Sequence, residues 1–255
     1  MKLIRRAAIE SDDLFASMNE ETKTGISLSV VLPAHNEEGN IRNTVNSCVS
    51  YLEKNKITYE VVVVNDGSFD RTREIVGELS SANPNVVLVN HEVNRGYGSA
   101  LRSGFDRASK EYIFFMDSDG QFDINDLDRL IPLAGDRVVV IGYRGNRADS
   151  FIRSLNAWLY SLYIFLVFGL SVRDMDCAFK IFPNGAYRAV KPIKSEGALF
   201  SAEFLIKLKR NGFTFKEVPV GHFPRQFGSQ SGANLKVILK MFRESWKLRN
   251  EFRDS

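Results

Sequence analysis

The most constraining feature of the chain is an alternation of short apolar runs, each ending in a polar loop, with stretches of helical spacing. The runs cover 28–32, 60–64, 86–89 and 112–116, and are rich in β-branched, leucine and aromatic residues. Between them, 38–53, 71–79 and, after a glycine-rich turn, 95–110 read as helices. Strands that alternate with helices predict a parallel sheet with right-handed crossovers. The expected fold class is therefore α/β: a single Rossmann-type domain with a mostly parallel central sheet flanked by helices. Pro33 is expected to stop the first strand. Ligands of such sheets bind beyond the carboxyl ends of the strands. The loops that begin at Pro33, Asn65 and Asp117 should thus share one rim.

The 255 residues, 44% hydrophobic and 25% charged, suffice for a sizeable core and argue against global disorder. A net charge of +3 gives no sign of a nucleic-acid partner. Two cysteines, Cys48 and Cys177, are too few for a disulfide framework and point to a reducing compartment. Residues 1–25 form a polar lead-in with no apolar stretch long enough for a secretory signal. Residues 154–172 lack any charged side chain, about the length of a bilayer span. Ser154, Asn156, Ser161 and Gly169 interrupt that stretch, and Arg153 and Arg173 bracket it. An apolar helix packed on the sheet, or touching a membrane surface, is the preferred reading. The principal domain is expected over 26–232 and a basic amphipathic helix over 233–255. In that helix Leu235, Ile238, Leu239, Phe242 and Trp246 recur on one face, and Lys236, Lys240, Arg243 and Lys247 on another. It fits either an anionic membrane surface or a helix packed on the domain with its basic face in water.

The strongest chemical signal is Asp117-Ser118-Asp119-Gly120-Gln121, directly after the fourth run. Two carboxylates and an amide at a strand end suit a hard divalent ion that shares substrate phosphate oxygens. Such an ion neutralises a departing diphosphate. Asp-x-Asp is also common in solvated turns, and it is the place after a strand that gives it weight. In Asn65-Asp66-Gly67-Ser68-Phe69-Asp70-Arg71-Thr72, Asp66 can accept from a nucleobase N–H, Gly67 permits a tight turn and Asp70 can cap a helix. A plain strand–turn–helix connection explains Asp70 and leaves Asp66 idle. Leu32-Pro33-Ala34-His35-Asn36-Glu37-Glu38 carries polar groups to the rim, or is simply a helix start capped by Asn36. Asn94-Arg95-Gly96-Tyr97-Gly98-Ser99-Ala100 places two glycines before a helix, like a phosphate cradle. It lacks the full dinucleotide fingerprint and follows the third strand, which disfavours a dehydrogenase.

In order and spacing, the segments LPAHNEE, VVNDGSFDRT, NRGYGSA and MDSDGQF resemble those of the family 2 inverting glycosyltransferases with the GT-A fold. The resemblance covers 28–232 and is greatest to the dolichyl- or polyprenyl-phosphate sugar synthases. It implies a nucleotide-diphosphate sugar donor, a GDP- or UDP-sugar, and Mg2+ or Mn2+ as cofactor. Pro33, Ala34, His35 and Glu37 would line the nucleoside pocket, with Asp66 on the base. His35 stands where tyrosine is frequent, and Asn65 replaces the first aspartate of the usual pair. Asp117, Ser118 and Asp119 would contact ribose and diphosphate, and the metal would be held by Asp119 and Gln121 with Asp117. Phe122-Asp123-Ile124 departs from the proline often found there. Gly142-Tyr143-Arg144 resembles the family's arginine-bearing strand, and Arg144 would serve the donor as well. Asp176-Cys177-Ala178-Phe179-Lys180 resembles Asp-x-x-Gly-Phe-Arg/Lys, with Ala178 for glycine. Glu203 falls in the acidic helix, and Glu217-Val218-Pro219-Val220 with Arg225 and Gly228 in the closing segment.

Four cations, Arg144, Arg153, Lys180 and Arg225, lie in or beside loops facing that rim and suit a phosphate acceptor. Asp119, Lys180 and Arg225 are the expected catalytic set. The hypothesised reaction is an inverting single displacement. A hydroxyl acceptor needs a general base, and the Glu-Asp or Gln-Asp pair that often supplies it has no clear match. A phosphate monoester, with a second pKa of about 6, needs none. The expected partners are a nucleotide sugar, a lipid phosphate and a membrane surface touched peripherally, in the cytoplasm or at its membrane face. With a saccharide hydroxyl as acceptor, Asp176 and Glu203 would be the bases. An inactive nucleotide-sugar-binding scaffold is the reading from another class. A nucleotidyltransferase is disfavoured, because no lysine-rich glycine loop opens the first strand.

Overall fold

The structure is a computed structural model that describes residues 25–145, 151–195, 197, 199–225, 245 and 249, with 151–158 described as backbone. The expected lead-in (apart from Gly25), Gly228 and the C-terminal helix (apart from Ser245 and Arg249) lie outside the described residues. In chain order the elements are β1 (Ser27–Ala34), α1 (Ile41–Lys54), β2 (Thr58–Asp66), α2 (Thr72–Ala82), β3 (Val86–His91), α3 (Tyr97–Arg107) and β4 (Tyr112–Met116). Two 3-10 turns follow, then β5 (Val138–Arg144), α4 (Phe151–Phe168), β6 (Phe179–Pro183), α5 (Asn184–Val190), α6 (Leu199–Arg210) and β7 (Thr214–Val220). All four expected strands and the three helices between them form, in one seven-stranded sheet ordered β3-β2-β1-β4-β6-β5-β7. Only β6 runs against its neighbours.

Apolar side chains on both faces make the central strands helix-covered. Val30, Val31, Leu32, Val61 to Val64 and Phe114 are wholly buried. Helix α3 lies flat on β1 and β2 at Gly104, where an added Cβ would stand 2.3 Å from Val31 Cγ1 and 3.2 Å from Val64 Cγ2. The next residue, Phe105, is the centre of an aromatic cluster, 5.2 Å from Tyr187, 5.3 Å from Phe182 and 5.4 Å from Phe115. Such offset and edge-on pairs add to the area they bury. They join α3 and α5 to the β4–β6 seam.

Pro33 does not stop β1, which pairs with β2 through Pro33↔Val64 and Ala34↔Asn65. The Pro33 carbonyl accepts the Ser118 hydroxyl at 2.7 Å, so that residue faces the β4 side. Pairing with β4 has already ended at Val31↔Phe115, so the missing N–H costs no ladder bond. Helix α1 begins at Ile41, after Asn40 and not after Asn36. Asn36 instead takes a left-handed backbone, φ 58°, a conformation that asparagine tolerates. The charge-free stretch is largely α4, with Tyr160 and Ile164 buried and Leu159, Leu162, Phe165 and Leu166 exposed. Among the described residues no helix is long and apolar enough to cross a membrane.

Gly104→Ala should overpack the α3–β1–β2 contact by about 1–3 kcal/mol. The expected outcome is a Tm lower by several degrees in calorimetry. An unchanged Tm would show that α3 does not rest on Val31 and Val64 as described.

Candidate active site

The antiparallel β6 explains why distant segments meet. Its first residues pair with the last of β4, as Met116↔Phe179 and Phe115↔Lys180. The carboxyl ends of β1, β2, β4, β5 and β7 point to the same rim, so the loop that precedes β6 joins them there.

Over β1 to β3, three loops are tied together. His35 Nδ1 lies 2.8 Å from the Asp66 carbonyl. Asn36 N donates to Ser68 Oγ and Phe69 N to Asn36 Oδ1, both at 3.0 Å. Asp70 accepts from Thr72 N, the first residue of α2, and from Glu38 N in the turn before α1, so it ties the two loops together instead of capping α2, whose N-cap position is Arg71. Asp66 is buried, and its carboxylate is engaged within the chain. Oδ1 accepts from Arg95 N at 2.9 Å and faces His91 Nδ1 at 2.7 Å, and Oδ2 accepts from Gly96 N at 2.8 Å. His91 Nε2 in turn contacts Ser103 Oγ at 2.8 Å. Asp66 therefore staples β2 to the glycine turn. Gly67, φ 63°, makes that contact possible, because a Cβ there would lie 2.2 Å from Asn94 N.

At the end of β4, Ser118 is buried between the Pro33 carbonyl and Thr44, whose hydroxyl donates to the Ser118 carbonyl at 3.1 Å. Asp117 receives the Tyr97 hydroxyl at 3.0 Å. Burial and the charge of Asp119 push the Asp117 carboxyl up to about 7, against the Tyr97 hydrogen bond, Lys180 and Arg144. Tyr97 is raised well above its ordinary value by burial and by Asp117, so it stays a donor. Two oxygen donors that repel each other when both are ionised fit magnesium or manganese, which take one or two carboxylates beside phosphate oxygens. Among the described residues no group of three His, Cys, Asp or Glu is arranged to hold a metal. Gln121 donates Nε2 to the Phe223 carbonyl at 2.9 Å, while Phe223 N donates to the Gln121 carbonyl at 2.8 Å. Its amide thus ties the segment after β7 across the acidic loop.

The cations are brought to the same rim, each with a partner inside the chain. Arg144 forks onto Asp174 at 2.7 and 2.8 Å. Lys180 is buried, lies 5.2 Å from the centre of the Phe115 ring and donates to the Cys177 carbonyl. Burial lowers its pKa, opposed by Cys177, Asp174 and Asp176. Arg225 pairs with Glu37, whose other oxygen accepts from Asn40 at 2.8 Å. The Arg153 side chain lies outside what is described. Asp176 is exposed. Glu203 is buried and accepts from Lys194 N, Ser195 N, Ser195 Oγ and Lys207. Burial alone would raise its pKa, but these donors hold the carboxyl below its usual value. It anchors the loop that Arg102 grips from the other side through the Ile193 and Ser195 carbonyls.

Pro33, Ala34, His35, Glu37, Asp66, Asp117, Ser118, Asp119, Gln121, Arg144, Lys180 and Arg225 are thereby placed on one rim. Tyr97, His91 and Asp174 are missed by the sequence reading. Tyr97 stands inside a quoted motif, whereas nothing in the residue pattern marks the other two.

This rim, with paired carboxylates after the fourth strand of a mostly parallel sheet, defines the GT-A class of glycosyltransferase fold. The solved glucosyl-3-phosphoglycerate synthase from Mycobacterium tuberculosis, in complex with Mg2+ and uridine-diphosphate, shares the fold at a TM-score of 0.63, with 20% identity and 89% of this chain and 79% of that one covered. The family model described as Glycosyl transferase family 2 matches residues 29–190, and the chain belongs to that family. A dolichyl-phosphate beta-glucosyltransferase of Trichomonas vaginalis is 29% identical over 232 residues, covering 84% of this chain and 70% of that one. An undecaprenyl-phosphate 4-deoxy-4-formamido-L-arabinose transferase of Pectobacterium atrosepticum is 29% identical over 220 residues, covering 84% and 65%. The chain spans about two thirds of the length of these relatives.

The raised Asp117 gives a pH test. A carboxyl whose folded pKa lies above its unfolded value stabilises the fold below the unfolded pKa, and that contribution is lost as pH rises through the folded one. Between about pH 4 and 7 metal-free wild type should therefore lose stability relative to Asp117→Asn. The Tm difference should vanish near pH 4 and be largest above pH 7, and Mn2+ should raise the Tm of the wild type alone. Parallel Tm–pH curves for the two proteins would refute the raised pKa.

Proposed function

We propose that this glycosyltransferase moves a sugar from a GDP- or UDP-sugar to a dolichyl or polyprenyl phosphate, by inverting displacement with Mg2+ or Mn2+. The observation that carries the reading is the meeting of the Asp117–Asp119 loop with Arg144, Lys180 and Arg225 on one rim. A bound divalent ion would offset the charge that develops on the leaving diphosphate. Asp117 and Asp119 would hold it, with the Gln121 side chain beside them. Pro33, Ala34, His35, Glu37 and Asp66 enclose the nucleoside, with Asp66 acting through the turn it fixes. Arg144, Lys180 and Arg225, joined by Arg153 at the start of α4, hold the acceptor phosphate. That phosphate attacks as an anion, so no side chain has to remove a proton. The four donors that fill Glu203 support this choice over a hydroxyl acceptor.

The names of the relatives point to polyprenyl-type phosphates. The exposed Leu159, Leu162, Phe165 and Leu166 on α4 offer an apolar surface for peripheral membrane contact. This would bring the site to the cytoplasmic face of a membrane.

The test is a donor panel. The protein is incubated with Mn2+ or Mg2+, mixed polyprenyl phosphates and each UDP- or GDP-sugar, following nucleoside diphosphate release and lipid-bound sugar. Coupled release and lipid product support the reading, and release without lipid product moves the acceptor to a saccharide. No consumption of any donor leaves the binding-scaffold reading. Asp119→Asn should cut turnover roughly 10²–10³-fold with a metal-free Tm no lower than that of wild type. Full activity in that variant would remove Asp119 from the mechanism.

A further inference from the structure

Two residues of the C-terminal segment are described, and both are helical. Ser245 is 0% exposed and Arg249 is half-buried. The Ser245 hydroxyl donates to the Tyr163 hydroxyl of α4 at 3.3 Å. This contact decides which way an amphipathic helix over 235–249 has to face. Residues three, four or seven apart share one face of a helix. Counted from Ser245, these are Ile238, Met241, Phe242, Leu248 and Arg249, of which only Arg249 is polar. Residues two, five or nine apart fall on the opposite side, at about 100° per residue. Counted from Ser245, these include Lys236, Lys240, Arg243 and Lys247. The buried Ser245 thus marks the middle of the apolar face, and the four cations belong to the face behind it.

On α4, Tyr163 stands at a border. Tyr160 and Ile164 are buried on one side of it, and Leu159 and Leu166 are exposed on the other. The hydroxyl at that border is met by Ser245, so this flank of α4 is where the C-terminal segment arrives. An apolar face laid against α4 is no longer free to enter a bilayer. What it leaves outward is charge, and within 235–249 the basic residues are opposed by Glu244 alone. Such a face suits a surface of anionic headgroups, to which it is drawn by charge without insertion.

We propose that residues 235–249 dock by their apolar face on the Tyr163 flank of α4, and that Lys236, Lys240, Arg243 and Lys247, turned outward, form a surface for anionic lipid headgroups. This rests on the membrane contact in the reading above and gives the C-terminal segment its part in it. The segment holds to its own domain through Ser245 and to the membrane through its cations.

The test is co-sedimentation of the full chain with vesicles of phosphatidylcholine, with and without phosphatidylglycerol, and with no donor or polyprenyl phosphate present. Association with the phosphatidylglycerol vesicles should weaken steeply as salt is raised. Arg243→Glu with Lys247→Glu should weaken it about tenfold or more at low salt, with the Tm of wild type. Ser245→Arg, which forces a charge into the buried contact, should lower the Tm by several degrees. In a Trp158→Phe background Trp246 is the remaining tryptophan. Lipid chains brominated at mid-length should leave its fluorescence unquenched. Quenching of Trp246, or a Tm unmoved by Ser245→Arg, would overturn the docking on α4. Vesicle association that ignores the charge reversal, or no association at all, would overturn the lipid-facing role of the cations. None of these outcomes touches sugar transfer, which the donor panel tests by itself.

Discussion

Two carboxylates held close together at a half-buried strand end are the constraint around which the rest of the molecule is arranged. Asp117 and Asp119 follow β4, whose last residues are buried, so neither side chain can swing fully into water. Their mutual repulsion and the loss of solvent raise the cost of ionising both. The fold offsets that cost with a hydroxyl from α3 and two cations from β5 and β6, without neutralising it completely. The residual strain is of the kind that a divalent ion with phosphate oxygens relieves. Catalytic sites commonly keep such unresolved charge, because a fully satisfied site would have no use for its ligand.

The reversed β6 is the topological answer to the same demand. In a wholly parallel sheet the segment that enters a strand lies on the rim opposite the ligands. Reversing one strand brings its entrance, Asp174 to Lys180, to the side where β4 and β5 leave the sheet. Arg144 and Lys180 thereby reach Asp117 from neighbouring strands, with Asp174 gripping the arginine. The segment after β7 then crosses the acidic loop through Gln121 and reaches Glu37 through Arg225, joining it to the loop after β1. Lys180 lies deep enough to be desolvated, yet the Cys177 carbonyl and the Phe115 ring keep its ammonium placed.

What could be read from the sequence was periodicity and chain position. The runs at 28–32 and 112–116 are strands because strands buried on both faces need continuous apolar residues, and the polar groups just past them have to lie on the rim. Pro33 misled, since proline usually ends a strand, and what rescues it is the early end of a neighbouring ladder that is invisible in one segment. Asn36 misled in a related way. Asparagine is a good cap, but the same short amide also tolerates a left-handed backbone, and here it bonds the next loop. His91 and Asp174 carried no signal because their importance lies in a partner 25 or 30 residues away. Local pattern does not encode such pairs.

The pairing of Arg144, Lys180 and Arg225 within the chain changes what ligand binding has to accomplish. Arg144, Lys180 and Arg225 are not open charges awaiting phosphate, for each already holds an oxygen of its own chain. A phosphate gains from them only by sharing or displacing those partners. The net gain per contact is then smaller than for a free arginine fork, but desolvation has largely been met in advance. Carbonyl and carboxylate partners also fix where each cation points before the ligand arrives. Arg225 shows the trade most clearly. Its Glu37 partner sits in the turn before α1, two residues from His35, so displacing that pair would be felt in the loop after β1. The electrostatics that hold the rim together thus join its two ends.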